Sequence, residues 1–121
     1  MKQKLDLDRL HAVLRGEATG KGAGTTTATA NMIAGYIAVG KESRVYITIP
    51  SAHALSYILP ILSEQVEFMG TKHLVATNRY LHRLKRADGT KVRLKFVIEK
   101  EAYNRMRGVR ADEDTAIYKI A

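Results

Sequence analysis

Residues 16–27 have the sequence GEATGKGAGTTT and combine the residue types that hold phosphate in a turn of the chain. Glycine lets the backbone curl so that several N–H groups point at one anion, and a helix that follows adds partial positive charge. A lysine neutralises phosphate, and a threonine hydroxyl in the first helical turn can hold Mg²⁺. The chemistry that this stretch suggests is the binding of a nucleotide phosphate group.

The spacing of this loop departs from the common pattern G-x-x-x-x-G-K-[ST] and allows two registers. A register that starts at Gly16 is one residue short, whereas one that runs over residues 19–26 has Thr25 in place of the usual lysine and Lys21 early in the loop. We prefer the second, because it keeps three glycines in the curl and starts the helix where the sequence becomes helical; the alternative is a plain flexible turn. The predicted nucleotide-binding residues are Thr19, Gly20, Lys21, Gly22, Ala23, Gly24, Thr25 and Thr26, with Thr26 also holding Mg²⁺ through the nucleotide.

Positive charge is concentrated in a second segment. The formal net charge is +8, yet residues 72–110 alone carry +9 and the remaining residues total −1. Within this segment, residues 91–98 alternate between basic and apolar side chains, as in a strand with one apolar and one basic face. Such a surface favours the binding of a polyanion. The alternative is that it is an ordinary basic surface in contact with solvent. The predicted nucleic-acid contacts are Arg83, Lys85, Lys91, Arg93 and Lys95.

The elements that must position these residues follow from periodicity and turn signals. An Asp-Gly turn at residues 87–90 predicts a β-hairpin. Pro50 ends a predicted strand at 43–49 that is rich in β-branched residues. The order strand, loop, helix, strand, helix predicts right-handed crossovers and a parallel sheet. The predicted elements are a short helix at 6–10, strands at 11–15, 43–49, 80–85, 91–98 and 115–118, helices at 26–39 and 52–68, and a helical turn within 99–107.

Composition sets the broad class of the protein. The 121 residues predict one domain over 1–121, and the chain has no cysteine, which excludes disulfides and thiolate chemistry and fits a reducing compartment. No apolar run approaches the roughly 20 residues of a membrane span, so we expect no membrane partner and a cytoplasmic location. The four histidines share no spacing typical of a metal site.

Four segments follow one another in the order GKGAGTT, SRVYITIPSAHA, RADGTKVRLKF and YNRMRGVRAD. In order and spacing, they resemble the ATPase domain of the large terminase subunits of tailed phages, the motors that package DNA into capsids. The resemblance covers most of the chain and implies a P-loop NTPase-like, three-layer α/β fold with a mostly parallel sheet and a basic β-hairpin.

The same resemblance implies ATP and Mg²⁺ as cofactors and a role in phage DNA packaging in the host cytoplasm. The implied partners are a nucleotide, double-stranded DNA, and further copies of the chain or other packaging subunits. Arg107 and Arg110, in the segment that resembles the family's Arg-Gly motif, are then predicted to contact phosphate.

The chain departs from the family where the catalytic acids are expected. An Asp-Glu pair ends the corresponding strand in the family, whereas this strand ends in Lys119-Ile120. Asp112, Glu113 and Asp114 precede the strand, and they can replace the missing Asp-Glu pair only if the strand has a different register from the one predicted here. The nuclease domain and arginine finger of the family are also missing from these 121 residues. We therefore expect weak or absent ATP hydrolysis by the isolated chain; the alternatives are a non-enzymatic nucleic-acid-binding module with a vestigial loop, or a subunit active only in an oligomer.

Overall fold

The computed structural model describes residues 25–121 of the chain. The predicted helix and strand before Arg15 and the loop residues Thr19–Gly24 therefore lie outside the described residues. The elements are helix α1 (Thr25–Val39), strand β1 (Arg44–Ile49), helix α2 (Leu55–Phe68), strands β2 (Lys72–Asn78), β3 (Leu81–Lys85) and β4 (Lys91–Ile98), a 3₁₀ turn (Glu99–Glu101), helix α3 (Ala102–Arg105) and strand β5 (Thr115–Lys119). Each of them except β2 matches a predicted element.

The five strands form one mixed sheet in the order β2-β3-β4-β1-β5. Strand β1 is parallel to both β4 and β5, whereas β3 is antiparallel to both β2 and β4. The expectation of a mostly parallel sheet was wrong, since two of the four neighbouring pairs are antiparallel. The physical reason is the short connections between β2, β3 and β4, because a parallel neighbour needs a crossover of a dozen residues or more.

Helices α1 and α2 pack against one face of the sheet, which we call the inner face. Alternate strand residues such as Ile47 and Phe96 enter this core together with Ile33 of α1 and Ile58 of α2, all 2% exposed or less. On the opposite, outer face, the segment 99–109 lies over the carboxyl ends of the strands, where Thr48 Oγ1 is 3.9 Å from Met106 Sδ. Residues 25–121 thus form two main layers, and the expected three-layer, P-loop NTPase-like fold is not confirmed.

Helix α1 lies close to the sheet because small residues form its inner side. Ala30 and Ala34 are completely buried on that side. Tyr36 is 39% exposed, and its ring stacks on Tyr118 with the centroids 5.8 Å apart. Burial raises the pKa of the Tyr118 hydroxyl, and Glu42 adds to that effect.

A buried arginine joins the C-terminus of α1 to the turn between β3 and β4. Arg86 is 3% exposed; its Nε donates to the Ile37 carbonyl at 2.6 Å and its Nη2 to the Glu42 carbonyl at 2.8 Å. The first bond satisfies an acceptor that the end of α1 leaves open, and the second binds a carbonyl of the loop that follows. Burial lowers the pKa of Arg86, and Glu42 opposes this. Glycine is required at position 40 beside this arginine, because a Cβ there would lie 2.5 Å from the Tyr36 carbonyl oxygen.

Helix α2 begins after a turn that Ser51 caps. The Ser51 hydroxyl accepts the Ala54 N–H at 3.2 Å in this turn, whereas the helix itself, with Ala54 at its N-cap, has no side-chain cap. Pro60 lies inside the helix, and the helix continues through it as one element. A proline inside a helix favours a kink or a break into two shorter helices, and the break is not observed here.

The hairpin between β3 and β4 forms as its Asp-Gly signal predicts. Gly89 has φ of 91°, a backbone conformation that side chains with a Cβ rarely adopt. Asp88 Oδ1 accepts the Thr90 N–H at 2.9 Å and the Thr90 hydroxyl at 2.7 Å. These two hydrogen bonds lower the pKa of the Asp88 carboxyl. The turn fixes the register of β3 against β4 and therefore the pairing of their basic residues.

None of the helices within residues 25–121 has the length and apolar character needed to cross a bilayer. The core residues of this part belong to one hydrophobic cluster. The single domain predicted over residues 1–121 includes 24 residues outside the described part, and it stays a prediction.

Candidate nucleic-acid interface

The five basic residues predicted to contact nucleic acid lie together on the outer face of β3 and β4. Their neighbours in the sequence, such as Leu84 and Leu94, are 3% exposed on the inner face. Because successive strand residues point to opposite faces, burying the apolar set turns the basic set outward. Arg83, Lys85, Lys91 and Arg93 are exposed, and Lys95 is half-buried.

Cross-strand pairing sets like charges against each other. Arg83 pairs with Arg93, and Lys85 pairs with Lys91, in the antiparallel register of β3 and β4. Paired side chains in such a register have Cβ atoms about 5 Å apart, and like charges placed directly opposite destabilise a sheet. An anion bound between these side chains would remove that repulsion.

Strand β1 adds a sixth cation, Arg44, that sequence analysis missed. Arg44 is exposed and lies in register with Arg93, because β1 runs parallel to β4. Three arginines therefore form a row across β3, β4 and β1. The alternation in RVYITI signals the face on which Arg44 lies, but the pairing of β1 with β4 is long-range and has no local signal. We call Arg44, Arg83, Lys85, Lys91, Arg93 and Lys95 the cationic face.

Acidic side chains do not neutralise the arginine row within the described part of the chain. The ion pairs between described residues join Arg105 to Glu101 at 3.6 Å and Lys119 to Glu99 at 2.7 Å. Glu99 directly follows β4 and is six residues, or about 20 Å at roughly 3.3 Å per strand residue, beyond Arg93. The Arg105–Glu101 pair lines a cavity together with Lys95. Among residues 25–121, the arginine row therefore has no acidic ion-pair partner.

A groove of about 540 Å³ lies along part of the cationic face. Its lining includes the cations Arg44, Arg83, Lys91 and Arg93. Leu74 and Val75 of β2 also line it, and these residues are 47% and 49% exposed. The register of β2 shifts between His73 and Val75, which places these two successive apolar residues beside the groove. The groove thus combines positive charge with an apolar wall.

Lys95 lines a separate cavity of about 420 Å³ nearer the carboxyl end of β4, together with Tyr80 and Arg105. Arg107 and Arg110, predicted to contact phosphate, are exposed in the segment after α3 and do not line the 540 Å³ groove. The Arg107 guanidinium lies 5.5 Å from the ring centroid of Tyr103, which is 77% exposed. Neither of these two arginines is therefore part of the groove that contains the arginine row.

The predicted nucleotide loop is described only at its last two residues. Thr25 and Thr26 are the first residues of α1, so the helix begins where the preferred register places its start. The other predicted nucleotide-binding residues, Thr19, Gly20, Lys21, Gly22, Ala23 and Gly24, lie outside the described residues. Nothing in residues 25–121 therefore tests the loop or the Mg²⁺ contact predicted for Thr26.

The acidic residues near β5 lie away from its carboxyl end. Asp112, Glu113 and Asp114 are exposed and precede the strand, and the Asp114 carbonyl accepts the Arg44 N–H at 3.1 Å. At the other end of β5, Lys119 pairs with Glu99. Residues 25–121 contain no group of three or more His, Asp or Glu side chains placed to hold a metal ion.

Two histidines that sequence analysis kept apart lie in contact at the edge of the inner face. His82 Nε2 lies 2.8 Å from the Arg79 carbonyl and donates to it, which leaves His82 Nδ1 to accept the Nε2–H of His73 at 3.0 Å. Burial lowers the pKa of His82, and the proximity of His73 lowers it further. The pair therefore favours a neutral His82.

Comparison with known proteins gives no match to a protein-family model, to a curated protein or to a solved structure. The similarity to terminase ATPase domains stays a prediction from the four segments named above.

Proposed function

We propose that the chain binds nucleic acid, double-stranded DNA in the first instance, through the cationic face. The observation that carries the proposal is the row of Arg44, Arg93 and Arg83 across three neighbouring strands, without an acidic partner among residues 25–121. Arginine is suited to phosphate because its planar guanidinium donates two parallel hydrogen bonds. Phosphates along a nucleic-acid backbone would separate and neutralise the paired cations.

Binding of this kind is governed by counterion release and carries little base preference. If four to six of the six cations contact phosphates of a duplex, the slope of log K against log salt is roughly −4 to −5. The side chains of the cationic face would contact the phosphates of the backbone. Such contacts do not depend on the identity of the bases.

The test measures fluorescence anisotropy of a 30-base-pair duplex from 50 to 300 mM salt. Replacing Arg93 with glutamine is expected to weaken binding and to reduce the magnitude of the salt slope by about one. Lys41→Gln, a matched loss of one exposed charge outside the cationic face, should leave the slope within error. A wild-type slope near zero, or equal effects of the two variants, would reject the proposal.

We propose as a second function that the chain binds ATP with Mg²⁺ as a terminase-like domain in phage DNA packaging, in the cytoplasm of the host. Two observations favour it: α1 begins directly after the glycine-rich segment, and β1 lies between two parallel strands. Ligands of open α/β sheets bind beyond the carboxyl ends of parallel strands. Hydrolysis is expected to be weak, because β5 ends in Lys119, which pairs with Glu99.

Calorimetry with ATP and Mg²⁺ tests this second function. Wild-type protein should bind ATP, and Lys21→Ala should bind it more weakly because the loop loses its positive charge. Absence of binding at millimolar ATP would reject nucleotide binding. If ATP binds without turnover, the rate of hydrolysis against protein concentration tests whether further copies of the chain, or other packaging subunits, supply the missing groups; a flat, null rate excludes activation by further copies of this chain.

A further inference from the structure

The groove beside the arginine row differs from the rest of the cationic face in having an apolar wall. Contacts to phosphate require only positive charge, which the cationic face also offers outside this groove, for example at Lys85. Leu74 and Val75 expose about half of their side chains to the groove instead of packing into the core. A ligand that uses both sides of the groove must therefore carry an anionic group and an apolar surface close together.

The arrangement of the arginines fits one phosphate group. Arg93 is flanked by Arg44 on one neighbouring strand and Arg83 on the other. Adjacent strands lie about 4.8 Å apart, so a phosphate over Arg93 is also within reach of the long side chains of the flanking Arg44 and Arg83. Bidentate contacts of this kind are short and directional, and they fix the position of the phosphate.

The groove volume of about 540 Å³ lies within the range of roughly 300–1,000 Å³ that holds small organic ligands. In a duplex the faces of the bases are stacked on each other and are not available to Leu74 or Val75. An unstacked nucleotide presents its base face and its phosphate together, which is how single strands are commonly bound.

We infer that the groove binds one unstacked nucleotide of a single strand, with its phosphate on Arg93, Arg44 and Arg83 and its base against Leu74 and Val75. This inference rests on the proposed nucleic-acid binding and adds to it a preference for single-stranded segments. Residues of the cationic face outside the groove, such as Lys85 and Lys95, contact phosphates of either form.

The experiment compares a fluorescein-labelled 15-nucleotide thymidine strand with a 15-base-pair duplex in the same buffer. The double change Leu74→Ser and Val75→Ser should weaken single-strand binding about fivefold or more, the lower end of the contribution of one contacted base, and leave duplex binding within twofold. Ile117→Ser is the matched control, because Ile117 is 37% exposed on the outer face of β5 and does not line the groove. It should change neither affinity.

A gain-of-function variant covers the case in which the double change disturbs folding. Leu74→Tyr keeps a residue suited to a strand and supplies a ring on which a base can stack, so it should tighten single-strand binding several-fold. Competition adds an independent readout: thymidine 5′-monophosphate should displace the strand at lower concentration than inorganic phosphate. Unfolding curves of each variant establish that the fold is retained.

The outcomes separate the two proposals. If the duplex and the single strand bind equally and neither the serine nor the tyrosine change alters the single strand, the nucleotide subsite is rejected and the cationic-face proposal stands. Equal competition by inorganic phosphate and the mononucleotide also rejects the subsite. If neither nucleic acid binds at 50 mM salt, both proposals fail.

Discussion

The two faces of the β3–β4 hairpin are built from alternating residues of the same strands, yet opposite constraints determine them. On the inner face, Leu84, Val92, Leu94 and Phe96 are nearly fully buried beneath α1 and α2. On the outer face, the residues between them are cations that oppose one another across the strands. Core packing accounts for the first set, because burial of apolar area stabilises the fold.

The second set contributes nothing of this kind to the fold. Opposed like charges reduce the stability of a sheet. Within residues 25–121, the arginine row forms no ion pair with an acidic side chain. Residues that cost stability and remain exposed are more informative about binding than those that pack. The inner face therefore explains why the hairpin folds, and the outer face indicates what it contacts.

The largest expected effect is on the inner face. Phe96→Ala removes a ring that is 2% exposed and lies edge-on to His82 with the centroids 5.7 Å apart. A cavity of this kind costs about 3–5 kcal/mol in the free energy of unfolding, measured by urea denaturation. Lys91→Ala on the outer face should change it by less than about 0.5 kcal/mol. Comparable losses in the two variants would remove the distinction between the faces.

The next effect concerns Arg86, a cation of the hairpin turn that is buried. Arg86→Met retains the length of the side chain but removes the donors to the Ile37 and Glu42 carbonyls. We expect a loss of about 2–4 kcal/mol in urea denaturation, since each buried acceptor left unpaired costs about 1–3 kcal/mol. Arg79→Met, at an exposed position, is the control. An equally small effect at both sites would mean that Arg86 behaves like the outer cations.

A smaller effect is expected from acidification through His82. Its pKa in the folded protein is lowered, so the unfolded chain, with a value near 6.5, binds more protons in the interval below that value. The stability that neutral His82 contributes is thus complete above about pH 6.5 and is lost as the pH falls through the folded pKa.

Unfolding free energies from pH 7.5 to 5.0 test this prediction. His82→Leu removes the titrating group at the inner face and should give a flatter pH dependence than wild type. His73 is hydrogen-bonded to His82 at 3.0 Å, so His73→Gln is measured in parallel. Identical pH profiles of wild type and His82→Leu would exclude His82 as the source.

The smallest effect has the opposite sign. Arg93→Thr removes the central charge of the arginine row from an exposed strand position and should raise stability by about 0.5 kcal/mol at low salt. At 1 M salt, where charges more than about 3 Å apart are screened, the gain should vanish. Lys41→Thr, outside the row, is the control. Destabilisation of the Arg93 variant at low salt would show that the row is not under repulsion.

Local patterns in the sequence were sufficient to predict most helices and strands and the basic residues that β3 and β4 contribute to the candidate site. The Asp88-Gly89 turn and the alternation of β4 fixed the hairpin and the outward direction of Arg83 and Arg93, because both depend on neighbours along the chain. Strand β2 was missed, since its residues are exposed on both faces and it carries two register shifts, which remove the usual alternation.

The sheet order and the arginine row depend instead on contacts between distant segments. Arg44 pairs with Arg93 although 49 positions separate them in the sequence, and no local pattern specifies that partner. The expectation of a mostly parallel, three-layer sheet came from the order of helices and strands and from a family resemblance. It included the antiparallel β3–β4 hairpin but not strand β2 or its antiparallel pairing with β3.

The irregular strand β2 also bears on how the protein behaves at high concentration. As an edge of the sheet that residues 25–121 form, it offers backbone groups to which a strand from another molecule can pair, the common start of edge-to-edge aggregation. Its register against β3 is interrupted after His73 and again after Ala76, so regular pairing persists for no more than two residues at a time. A foreign strand would have to reproduce both interruptions, and this edge is accordingly a poor template for polymerisation.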